Sequence, residues 1–281
     1  MRTLRLIGTT LLMVLCAVNF TACDDDDDEN NANSSINPQK VFVNGMPKQV
    51  SDMKITQDAS GLVSKIETDD AVAIFKYPTT VTTRAGLPNQ LVIVELTEDT
   101  GGEYEETFIF KMEIGDNGFI KHCDETEEDG DLETWDFTYT AEGNLLSMKR
   151  SEGGNETTTI TYQDGDIIKT STVSADEPEV SSIYTIDYTS DAAVNTPIEN
   201  KGCLMFYDKT LGIDMDEMWF AYYAGLLGKA TKHLPLKLTY ESDSYEDITN
   251  FAWTLNANGF PTLLSIQSEH SSTNNNISII W

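Results

Sequence analysis

Four groups of residues in this chain have types and spacings that could do chemistry. The first is Cys23, which follows Phe20-Thr21-Ala22 and precedes five aspartates and a glutamate. A thiol after small residues at the end of an apolar stretch suits acylation. Each buried acyl methylene contributes roughly 0.8 kcal/mol, and two or more chains anchor a protein stably. The second group is the loop "DETEEDGDLE", residues 124–133, where Asp129, Asp131 and Glu133 alternate. Their oxygens are of the kind Ca²⁺ takes, but the rest of a twelve-residue calcium loop is missing and Asp129-Gly130 is also a hairpin turn. A solvated acidic turn is therefore expected. Third are His122, His233 and His270, which lie beside no serine or cysteine motif. His122 and Cys123 are adjacent on a strand and point to opposite faces, so they cannot converge on one metal. No metal, cofactor or catalytic residue is expected. Fourth are Trp135, Trp219, Tyr222, Tyr223 and Trp253, whose flat faces could stack on a sugar, although most fall at positions expected to be core.

The segment before Cys23 explains its setting. Arg2 and Arg5 form a short positive region, Leu11 to Val18 an apolar stretch, and Thr21 and Ala22 a small-residue end. That order is a secretory signal peptide over residues 1–22, excluded from fold reasoning. Phe20-Thr21-Ala22-Cys23 resembles a bacterial lipobox, with phenylalanine where leucine is usual. The aspartate run cannot collapse and stays solvated. It resembles the acidic export tag of surface lipoproteins in Bacteroidetes-type bacteria. Residues 23–39 are thus expected to be a lipidated cysteine and acidic tether. The partner would be outer-membrane lipid, bound through acylated Cys23 at the cell surface, with the periplasmic face as the alternative.

Cleavage before Cys23 leaves 16 basic against 47 acidic residues, a net charge near −31. Such a surface repels nucleic acid and anionic headgroups, so neither is an expected partner. No apolar run after the signal is long enough for a spanning helix. Cys123 and Cys203 either pair in an oxidising compartment or sit as small buried hydrophobes.

The elements that must position these groups are mostly hairpins. "FIFKMEIGDNGFIKHCDE", "DFTYTAEGNLLSMKRSE" and "TITYQDGDIIKTSTV" each read as alternating strand, turn and alternating strand, with glycines at 118, 143 and 165. Weaker copies surround Gly61 and Gly259. Asn-Gly and Asp-Gly between alternating runs are strong hairpin signals, because both residues of such a turn adopt positive φ. The period of two puts Phe108, Phe110, Met112, Ile114, Phe137, Tyr139, Ile160 and Tyr162 on one face. Thr107, Lys111, Glu113, Asp136, Thr138, Thr159 and Thr161 occupy the other. The apolar face must be covered by closure into a barrel, by a second sheet or by a helix. The terminal "ISIIW" resembles the end of an outer-membrane barrel. Because the polar faces are too charged for lipid, a closing sheet strand is expected instead.

One stretch breaks the alternation. In "GIDMDEMWFAYYAGLLGKATKHLP", Asp214 and Glu217 have capping-box spacing, and Met215, Met218, Trp219, Tyr222 and Leu226 approach helical spacing. Tyr223 and Leu227 lie slightly off that stripe, Lys229, Lys232 and His233 suit a C-terminal end, and Pro235 stops it. An amphipathic helix near 214–228 is expected to pack on the apolar face of the sheet.

Residues 200–240, "NKGCLMFYDKTLGIDMDEMWFAYYAGLLGKATKHLPLKLTY", with the hairpins before them, resemble the Bacteroidetes-type lipoprotein family catalogued as domain of unknown function 4595, described as porin-like in fold. "YYAGLLGKATKHLP" is the most specific part, and the resemblance covers roughly residues 50–270. It implies a large, strongly curved antiparallel sheet and carries no catalytic residues. The expected fold is therefore mainly β: a large curved antiparallel β-hairpin meander, open or closed, with one amphipathic helix on its apolar face. It forms a single domain over 40–281. The expected function is a non-enzymatic surface binding or accessory module. A carrier of a hydrophobic ligand is the first alternative, and a glycan-acting hydrolase, without motif support, the second. Any ligand, a glycan or hydrophobic small molecule, is expected at the seam of Met218, Trp219, Tyr222 and Tyr223.

Overall fold

The computed structural model describes residues 36–77, 81–82, 88–128, 130–178, 181–190, 196–242, 245–270 and 275–281. Cys23, the acidic run and Asp129 lie outside these residues. Ser34–Trp281 form one compact unit. The folded part begins before residue 40, because Ile36 and Pro38 are already buried and Pro38 packs directly on Gly225. Residues 36–39, expected in the tether, therefore belong to the folded part.

Alternating residues make seventeen strands. In chain order they are β1 (Gln49–Val50), β2 (Met53–Gln57), β3 (Val63–Glu67), β4 (Val72–Lys76), β5 (Val81–Thr82), β6 (Pro88–Glu98), β7 (Glu106–Ile114), β8 (Ile120–Thr126) and β9 (Leu132–Tyr139). They continue with β10 (Leu145–Arg150), β11 (Glu156–Gln163), β12 (Asp166–Ser174), β13 (Ser181–Asp187), β14 (Lys237–Ser242), β15 (Tyr245–Leu255), β16 (Pro261–Ser268) and β17 (Asn275–Ile280). Apart from β5, which is a hairpin tip on β6, each pairs antiparallel with its neighbours in sequence order. The ring closes where β1 pairs with β17 on one side and β2 on the other. The sheet is thus a closed up-and-down barrel of sixteen strands, and "ISIIW" is its closing strand.

The glycine turns form as the sequence implies, with Gly118, Gly143, Gly165 and Gly259 at positive φ. Only the Asp164-Gly165 turn has both residues there, at 53° and 92°. The turns at Gly118 and Gly143 instead hold one positive-φ glycine, and the register shifts in the flanking strands. This is the longer hairpin loop with a bulge, which leaves the residue before glycine in ordinary backbone. The faces also follow. Phe108, Phe110, Met112, Ile114, Phe137 and Ile160 are buried inward, while Lys111, Asp136, Thr138, Thr159 and Thr161 are exposed. On β8, Cys123 points in and His122 points out to Asp136 and Asp124, at 2.8 and 3.2 Å.

A sixteen-stranded ring encloses more volume than its own side chains can fill. The connection from β13 to β14, residues 188–236, fills it. Leu204, Leu211, Ile213, Met218, Phe220, Tyr222, Leu226 and Leu227 are all essentially inaccessible. The amphipathic α-helix expected near 214–228 does not form. In its place stand a 3-10 turn at Asp216–Phe220 and successive tight turns, preceded by a short helix α2 (Tyr207–Leu211; α1 is the Glu152–Asn155 turn). Two features oppose an α-helix. Asp214 accepts from the Asp216 N–H, a local turn that competes with helix capping, and Asp216 has φ of +45°. From Phe220 to Gly228 every residue is buried, so this stretch has no solvent face for an amphipathic stripe to define. Tyrosine hydroxyls satisfy the irregular backbone: Tyr222 donates to the Cys203 carbonyl at 2.6 Å, Tyr223 to Met205 at 3.0 Å and Tyr207 to Leu227 at 3.3 Å. Cys123 and Cys203 are unpaired.

Candidate functional site

Two places in the barrel bring chemistry-bearing side chains together. The first is apolar. Strand β1 ends after two residues because the chain reverses at Ser51, with φ of +56°. Beyond that turn β17 has only the Ser51 N–H bond to the Ser278 carbonyl on its outer edge. The wall is one strand short there, and a cavity of about 380 Å³ lies between the notch and the plug. Met53 and Ile277 line it from the wall, and Met205, Phe206, Met215 and Trp219 from the plug. Tyr222 and Tyr223 close its floor with hydroxyls already committed to backbone carbonyls. Asp208 and Lys209, both exposed and paired with each other, are its charged residues. Of the expected seam residues, Trp219, Tyr222 and Tyr223 therefore meet at one cavity. Met218 does not line it; it is fully buried in the plug, and Met215 takes the place expected for it. Trp219 is half-buried, so it is a wall of the cavity rather than a core anchor.

The second place is charged. Arg150, on the inward register of β10 with Met148, is buried. Its guanidinium donates to Glu156 from the wall at 3.0 Å and to Asp214 and Asp216 from the plug at 3.1 and 3.0 Å. It lies 5.7 Å from the centre of the Trp135 ring, whose Nε1 donates to buried Glu125 at 2.7 Å. This clamp ties the plug to the wall. Burial pushes the Glu125 carboxyl up to about 8, against the pull of the Trp135 bond. Burial raises Glu217 to about 7, and a hydrogen bond to Asp216 raises Glu152 to about 7. Glu152, Asp216 and Glu217 present oxygens within 4.8 Å of one another and are the residues that could hold a divalent cation. These oxygens lie closer than the 5 Å or more that roughly separates the carboxyls of glycosidases. Of the acidic loop at 124–133, Glu125 and Glu133 face this cluster, while Asp131 is exposed.

Sequence reasoning missed the clamp, yet a signal exists. Alternation puts Arg150 in register with Met148 on the apolar face. A cation there demands carboxylates. Which carboxylates answer depends on a plug segment more than 60 residues away.

A raised carboxyl pKa gives the sign of a pH dependence. Glu125 contributes its full stability below its unfolded value near 4.5 and loses it as pH rises through about 8. The barrel should therefore lose stability from pH 5 to pH 8.5. Glu125→Gln, which keeps an acceptor for Trp135, should raise stability at pH 8.5 by on the order of 2 kcal/mol and flatten that slope. Urea melts of both proteins at the two pH values test this, and an unaltered slope would show that Glu125 is not its source.

The family model described as "Domain of unknown function (DUF4595) with porin-like fold" matches residues 48–263. The chain belongs to this family. Two solved structures share the DUF4595 barrel as a fold. A porin-like protein from Bacteroides uniformis is 15% identical, with a TM-score of 0.53 over 81% of this chain and 89% of that one. Another from Bacteroides vulgatus is 12% identical, with a TM-score of 0.58 over 84% and 99%. No curated protein matches the chain. In a membrane porin the lipid-facing side is apolar and the lumen polar and water-filled. This DUF4595 chain has the opposite arrangement, with Phe110 and Met112 inside and Lys111 and Asp136 outside.

Proposed function

We propose that this chain is a lipid-anchored, non-catalytic binding module of the outer-membrane surface, and that its barrel stays in water and takes a small hydrophobic ligand. The observation that carries the ligand class is the apolar cavity of about 380 Å³ at the β17–β1–β2 notch, lined by three methionines and Trp219. Its volume falls in the ordinary range for small-molecule sites. Unbranched methionine stems adapt to irregular guests. The aromatic rings favour this reading over a glycan platform, since Trp135, Tyr222 and Tyr223 are buried in the core.

The polar outer wall supports a barrel held off the bilayer, and the Phe20-Thr21-Ala22-Cys23 sequence supports acylation of Cys23. Palmitate labelling of the expressed chain should disappear in Cys23→Ser; persistent label would place the anchor elsewhere.

The ligand reading is tested with 1-aminoanthracene as a fluorescent probe on the full chain. Saturable binding is expected, weakened about tenfold or more in Trp219→Ala, equivalent to about 1.4 kcal/mol. The fold should survive, because Trp219 is only half-buried. Absence of probe binding, or equal binding by both proteins, would overturn this site.

A further inference from the structure

At the barrel end that carries the turns at Gly143 and Gly165, a second cavity of about 540 Å³ has a different character. Lys40, Lys201, Lys229 and Lys232 all line it, against a single carboxylate, Glu199. In a mature chain with a net charge near −31, a quarter of the 16 basic residues surround one hollow. Glu142 borders an adjoining smaller hollow shared with Lys40 and Lys229.

The lysines are held by the fold. The Lys229 N–H donates to the Gly143 carbonyl and the Lys232 N–H to Gly165, both at 3.0 Å. A Cβ on Gly143 would lie 3.6 Å from Lys229 Cε, and one on Gly165 3.4 Å from Lys232 Cβ. The lysine stems thus lie against the two turn glycines. Asn200 fixes the same segment, donating from its backbone N–H to the Lys232 carbonyl at 2.9 Å and from its side chain to the Thr231 carbonyl at 3.2 Å. Lys201 is oriented by the Asn258 carbonyl at 2.6 Å and the Phe260 ring at 5.0 Å. His233 is occupied with Asp166 at 2.6 Å. Among the described residues neither Lys229 nor Lys232 makes an ion pair.

We infer that this lysine-lined cavity binds a phosphate-bearing group. Lysine serves phosphate as a compact point charge, and several around one hollow match a multiply charged oxyanion better than a single carboxylate. The acidic clamp lies at the opposite end of strands whose length is roughly 20–30 Å. At physiological salt, where the Debye length is about 8 Å, its repulsion is screened while charges inside the cavity still act. The phosphate belongs either to a free solute or to a lipid headgroup. Lys40 is seventeen residues from Cys23, at most about 60 Å of extended chain, so a bilayer holding Cys23 is within reach.

Calorimetric titration of the full chain with inorganic phosphate, glycerol 3-phosphate and dihexanoyl phosphatidic acid separates these sources. Binding of the two soluble phosphates comparable to that of the lipid assigns a free solute. Binding confined to the lipid, or at least about tenfold tighter for it, assigns a headgroup. In either case Lys229→Gln/Lys232→Gln should weaken binding about tenfold or more, with an unchanged thermal midpoint. The outer-face control Lys65→Gln should leave binding unaltered. If none of the three probes binds, or the double variant binds like the unaltered chain, the inference is overturned.

Discussion

Replacing Arg150 by leucine is expected to destabilise the barrel by about 3 kcal/mol at pH 7.5, with a clearly smaller loss at pH 5. Removing one partner of a buried charge pair typically costs roughly 3–5 kcal/mol, because the other charge is left without compensation. Here the low side applies, since Asp214 is two-thirds exposed and water screens it. The pH dependence separates charge from packing. Without the guanidinium, Glu156, Asp214 and Asp216 lose their cation partner, and the cluster is less negative at pH 5, where Glu152 and Glu217, both raised to about 7, carry their protons. Denaturant melts at both pH values measure the difference. Equal losses at pH 5 and pH 7.5 would assign the effect to the lost contact with Trp135 instead.

Phe220→Ala is expected to cost about 3–5 kcal/mol, the range for emptying a large aromatic site in a core. Phe220 is fully buried and meets Phe75 of β4 and Phe110 of β7 edge-on, with ring centres 5.6 and 5.2 Å apart. It joins plug to wall at β4 and β7. The void cannot collapse easily, because hydrogen-bonded strands hold the wall at fixed separation. Phe220→Leu should lose less, as it restores most of the volume. A loss below about 1 kcal/mol for the alanine variant would mean the plug can slide to refill the space.

Phe220 and the clamp's Asp214 and Asp216 belong to a segment whose composition is readable in the sequence and whose shape is not. Met218, Tyr222 and Leu226 are buried as their apolar character requires, but not along a helical stripe. Helical spacing predicts a helix when one side faces water. From Phe220 to Gly228 every residue is buried, so the backbone follows the cavity, and Asp214, Asp216 and Gly225 turn the segment where a helix would run straight. The apolar site was half legible for the same reason. Trp219, Tyr222 and Tyr223 were marked by residue type, whereas Met53 and Ile277 come from opposite ends of the chain and meet only through closure.

The hairpins, their turn glycines and the two faces of strands such as β7, β9 and β11 follow from the sequence itself, because period-two alternation and positive-φ glycines act over a few residues. Phe110 inside with Lys111 outside, and Asp164-Gly165 at the turn, needed no distant partner. Tertiary structure alone decided that the sheet closes, through β1 joining β17 to β2 across more than 200 residues. It also decided what fills the lumen and where four lysines of an acidic chain gather. Those outcomes depend on strand number and ring width, which are properties of the assembled wall and appear in no local stretch of chain.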